Sequence, residues 1–148
     1  MLNKILTELY ERDLNKLKTE IEQFTDEADL WKTSGGVTNS AGNLCQHLTG
    51  NLQHFLGAVL GNSGYVRDRD AEFASRASTR AKLLTEIDSA LASVKDTFAG
   101  LTEEDLAKTY PIEVFGHPMT TGYFLTHLAT HFNYHLGQIN YHRRLLAS

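Results

Sequence analysis

Four of the seven histidines fall within Thr126–His142, THLATHFNYHLGQINYH. His127, His131 and His135 are spaced four apart, and His142 follows seven positions after His135. On an α-helix, residues four apart share a face, so at about 100° per residue these imidazoles span a sector of roughly 80°. Leu125, Leu128, Phe132, Leu136 and Ile139 form the adjacent apolar stripe. Imidazoles beside a buried stripe need partners, and a metal ion is the partner that engages several at once. The plainer alternative is a polar seam, each ring bonded to a backbone carbonyl or to water. His131 and His135 supply an HxxxH pair from consecutive turns. A third nitrogen has to come from another helix, where His47 and His54 are the candidates.

Three neutral imidazoles around a divalent ion leave a position for water or substrate, the open kind of site found in catalytic centres. Zinc or nickel suits such a donor set best. Phe132 follows His131 where an HExxH metalloprotease places its glutamate, so the usual base is missing. The ligand faces carry no carboxylates of the kind a di-iron bundle uses. No CxxCH, GxSxG, P-loop or GxGxxG occurs. Cys45, two residues before His47, projects about 200° away on a helix and reads as a buried small side chain.

These residues need helices to position them. Leu2, Ile5, Leu6, Leu9, Leu17, Ile21 and Phe24 predict a first helix over Leu2–Thr25. Trp31 lies in the break that follows and is expected to plug one end of the bundle. Ser40 is the expected N-cap of a second helix over Ala41–Leu60, with Leu44, Leu48, Leu52, Phe55 and Val59 inward and His47, Asn51 and His54 along one flank. Gly61–Ser78 reads as a loop, and its Arg67-Asp68-Arg69-Asp70 as a solvated charge run. Ser78 or Thr79 caps a third helix to Phe98, and Thr102 with Asp105 caps a short turn. Tyr110–Met119 reads as an extended connection in which His117 is an exposed loop histidine. Thr120 caps the last helix, to Leu146. The fold class expected is all-α: a four-helix bundle with long connections, as one domain over residues 1–148.

The 148 residues suffice for one core, and the net charge of −4 gives no basic surface for nucleic acid. No apolar run is long enough to span a membrane. A single cysteine suits a reducing compartment, so a cytoplasmic location is expected.

Two segments, SAGNLCQHLTGNLQHFLG (Ser40–Gly57) and HLATHFNYHLGQI (His127–Ile139), resemble the DinB-like (DinB/YfiT) superfamily. So does DLWK (Asp29–Lys32), which is similar to the Leu-Trp segment before that family's second helix. The family pattern has one His early in helix two and an HxxxH pair just before G-Q-[IV] on helix four. The resemblance therefore places the metal ligands at His47, His131 and His135, with Gly137-Gln138-Ile139 as the G-Q-I. Tyr134 stands where many members carry a further histidine. Asn51, His54, His127, Tyr134 and Gln138 are then expected to wall the pocket or support the ligands, and His142 to lie at the rim. The resemblance further implies up-down-down-up topology, a homodimer and a divalent metal. Some relatives are thiol S-transferases using low-molecular-weight thiols such as bacillithiol or mycothiol. Others are regarded as metal-dependent hydrolases, or as non-catalytic stress-related proteins.

Overall fold

The computed structural model describes residues 1–76 and 78–147. Its helices are α1 (Leu2–Gln23), α2 (Ala41–Leu52), α3 (Arg69–Ala74), α4 (Arg80–Ala99), α5 (Glu103–Ala107) and α6 (Thr121–Leu146), with a 3-10 turn at Glu27–Trp31. Among the described residues no strand forms; Thr109 and Thr120 make one isolated antiparallel bridge. Also among them, no helix is long and apolar enough to cross a membrane.

Side-chain oxygens set the helix starts. Ser40 accepts from the Asn43 amide, Thr79 from Lys82 and Thr120 from Tyr123, each satisfying a donor that has no partner inside the helix. Thr102 and Asp105 close a reciprocal capping box on α5.

α1 packs against α4 and α6, and α2 against the same two helices. Contacts along each pair fix their directions. Asn3 of α1 reaches the carbonyls of Phe98 and Leu101, while Lys18 pairs with Asp88, so α1 and α4 run antiparallel. Asp13 meets Asn133 and Glu20 meets Asn140 and Arg143, so α1 and α6 run parallel. His47 faces His131 and His135, whereas the later Phe55 meets the earlier Phe124, so α2 opposes α6. The predicted stripe of α6 is buried at all of Leu125, Leu128, Phe132, Leu136 and Ile139. Each such side chain contributes about 1.5–3 kcal/mol of burial, which holds the histidine-bearing face rigidly beside the core.

Three sequence expectations need correction. The second helix does not run as α-helix to Leu60: after Leu52 it widens into a π-turn over Gln53–Ala58, with Val59 bonding back to His54 and Gly61 to Leu56. Leu44, Leu48, Leu52 and Leu56 are all buried, whereas Phe55 and Val59 are only partly so. A strict spacing of four drifts around an α-helix, and the wider turn brings Leu56 back to the core. The Phe55 carbonyl accepts from the Tyr110 hydroxyl at 2.6 Å. Secondly, the loop expected at Gly61–Ser78 contains α3, capped by Asp68 on the Ala71 amide. Six residues are too short for a periodic signal, and tertiary contacts hold this turn. Thirdly, Tyr110–Met119 is not extended but folds through bends, pinched shut by Tyr110 N–H donating to the Met119 carbonyl at 2.9 Å.

Candidate metal centre

α2 and α6 approach most informatively where His47 meets His131 and His135. One ring nitrogen of each lies within 4.8 Å of the others. The Nε2 atoms of His47 and His131 are 3.1 Å apart, and the His135 ring stands edge-on to both. His47 is buried, while His131 and His135 are half-buried.

The outer nitrogens are held unequally. His135 Nδ1 donates to the Gln138 amide oxygen at 2.7 Å, one helical turn on. His47 Nδ1 lies 3.1 Å from Glu72 Oε1, on α3. His131 Nδ1 is buried with no hydrogen-bond partner among the described residues. Glu72 is gripped by Arg67, whose Nε donates to Oε2 at 2.9 Å and whose Nη2 donates to Oε1 at 3.0 Å. Burial alone would push the Glu72 carboxyl up; the His47 and Arg67 bonds and the Arg67 charge outweigh it and hold the group below its ordinary range. The carboxylate sits directly over Gly50 of α2, where a Cβ would fall 2.1 Å from Oε2. Only glycine leaves room for it.

Desolvation, followed by the neighbouring His135 and His47, pushes the His131 imidazole down to about 4. His135 is also lowered, first by desolvation, with its Gln138 bond opposing. The fold thus favours neutral rings whose lone pairs can coordinate. Two nitrogens bound at about 2.0–2.1 Å to a tetrahedral ion stand about 3.3 Å apart, close to the spacing of His47 and His131. An ion between the facing Nε2 atoms would engage both lone pairs, while His131 Nδ1 has no partner among the described residues in either case. The donor set is therefore compatible with a divalent metal.

The remaining sequence candidates separate. Gln138 supports His135 directly. Tyr134 is exposed, its ring 5.3 Å from that of His135. Asn51 is buried one turn beyond His47. His54 lies in the π-turn against Phe55, and His127 against Phe115 and Phe124; neither joins the cluster. His117 is exposed, as expected. His142, expected at the rim, does line the cleft that adjoins His135, but it is 6% exposed and its Nε2 bonds the Lys32 carbonyl at 2.9 Å. Its turn of α6 is covered by the segment after Trp31, which no periodicity foretells. Cys45 is fully buried and its thiol pKa is raised, chiefly by desolvation. Trp31 packs flat on Gly42 of α2. The charge run is only partly solvated, since the Arg67 side chain is largely withdrawn against Glu72. Sequence reasoning missed Glu72 and Arg67; the one available signal was an Arg and a Glu five apart opposite a glycine of the histidine helix.

An open cleft of about 670 Å³ adjoins the cluster. Val37, Leu44, Tyr134, Tyr141 and Leu145 give it an apolar lining, and His135 with Gln138 forms the wall it shares with the three histidines.

The fold is similar to a DinB-like protein from Bacillus cereus ATCC 10987 (TM-score 0.75, 18% identity, 96% of this chain and 91% of that one). It is also similar to a conserved protein from Enterococcus faecalis (TM-score 0.76, 16% identity, 96% and 95%). The chain belongs to the family described as a protein of unknown function, DUF1572, whose model matches residues 3–148. No curated protein matches the sequence.

Proposed function

We propose that this protein is a divalent-metal-dependent thiol S-transferase, with zinc or nickel held by His47, His131 and His135 and a low-molecular-weight thiol as co-substrate. The convergence of three imidazole nitrogens within 4.8 Å carries this reading. The helix directions support an up-down-down-up four-helix frame, in which opposed α2 and α6 present the ligands. A bound divalent ion supplies a Lewis acid that stabilises a thiolate near neutral pH.

The chain's own residues do the rest. Gln138 holds the His135 proton on Nδ1 and leaves Nε2 free to coordinate. The cleft beside His135 orients the organic part of a substrate and sheds water from it. Glu72 is occupied by Arg67 and His47 and is not free to act as a base on water, which favours a thiol nucleophile over hydrolysis. In the transfer, sulfur bonds to the electrophilic carbon, the leaving group departs with the bonding pair, and the thiol proton passes to solvent.

The test is conjugation of a small thiol to a chloroaromatic electrophile by zinc- or nickel-loaded protein. Rate enhancement that disappears in His131→Ala is expected. Equal rates with and without metal would refute the transferase reading.

A further inference from the structure

We infer that Glu72 is the positioning residue of the three-histidine site: it fixes the His47 tautomer by accepting from Nδ1, and it acts by orientation and not by its charge. The inference rests on the metal reading above for its consequence, while its geometry stands without it.

Glu72 is remote from His47 in sequence, yet Gly50 admits its carboxylate to the surface of α2. Two contacts compete for His47 Nδ1. Glu72 Oε1 lies at 3.1 Å and Arg67 Nη2 at 3.4 Å. If Nδ1 accepted from Arg67, its lone pair would face a carboxylate oxygen at the shorter distance. A carboxylate only accepts and a guanidinium only donates, so Nδ1 carries the proton and donates to Glu72. Nε2 of His47 then presents its lone pair toward His131 and His135, the form that ligation requires.

Carboxylates behind ligating histidines also lend negative charge to a site. Here Arg67 cancels that charge with two hydrogen bonds, and Glu72 is 6% exposed. What remains is the acceptor and its direction. The centre consequently keeps the full charge of its ion toward an incoming anion.

Glu72→Gln and Glu72→Met separate the two roles. The amide oxygen of Gln can still accept from His47 Nδ1 and Arg67 Nη2, giving up only the Arg67 Nε bond to the Oε2 position; Met offers no acceptor. The first readout is the imidazole nitrogen spectrum of metal-free protein, which reports the His47 tautomer whether or not metal binds. Nδ1–H is expected in wild type and Glu72→Gln, and a mixture in Glu72→Met. The second readout is zinc affinity by chelator competition. Glu72→Gln should stay within about threefold of wild type, and Glu72→Met should weaken by roughly 10–100-fold. Equal losses in both variants would overturn the inference in favour of charge, and so would an Nε2–H tautomer in metal-free wild type. Should Glu72→Met not fold, the wild-type and Glu72→Gln spectra decide alone. Loss of zinc binding in wild type with the Nδ1–H tautomer intact would count against the metal reading and leave the orienting contact standing.

Discussion

His47 Nε2 and His131 Nε2 lie 3.1 Å apart across 84 positions of sequence. The contact joins the middle of α2 to the middle of α6, with His47 buried and His131 half-buried.

Metal-free protein should lose stability as pH falls. The folded pKa of His131 is depressed to about 4, and those of His135 and His54 are lowered, each chiefly by desolvation. An unfolded histidine titrates near 6.5, so between there and the folded values the unfolded chain binds more protons. The stabilisation is present above about pH 6.5 and is lost toward about 4, with His131 the largest contributor. Denaturant melts of metal-free protein across this range measure it. His131→Phe should flatten the curve; an unchanged slope in that variant would contradict the assignment.

Gly42→Ala should destabilise the fold. Its Cβ would fall 2.5 Å from the Trp31 ring, forcing the 3-10 turn off α2 at a cost of about 1–3 kcal/mol. Tryptophan fluorescence should shift with the melting temperature. An unaltered melt and emission maximum would show that Trp31 is not seated there.

His142→Ala separates a structural histidine from the site. It removes the donor to the Lys32 carbonyl and should cost about 0.5–1.5 kcal/mol. Zinc affinity should remain that of wild type. A variant that melts normally but loses metal would place His142 in the centre.

Much of this was legible because helices of this length advertise themselves. The α6 stripe, the Ser40, Thr79 and Thr120 caps, and the four-residue histidine spacing each follow from local periodicity or capping chemistry. His47 is buried on α2 facing the pair on α6, but spacing alone left it level with His54; family resemblance separated them. The π-turn was not legible, because its cause is the register of Leu56 against the core. Neither was Glu72, whose importance depends on a glycine on another helix and a short turn held only by tertiary contacts. The burial of His142 was not legible for the same reason: the residues that cover it come from a segment without period.

Zinc titration by chelator competition, in wild type and single histidine variants, tests the central claim most directly. One tightly bound ion per chain is expected. His47→Ala, His131→Ala and His135→Ala should each weaken binding by at least about two orders of magnitude, while His54→Ala and His127→Ala should retain it. Binding by His131→Ala equal to wild type, or a larger loss in His54→Ala than in His47→Ala, would contradict a centre built from His47, His131 and His135.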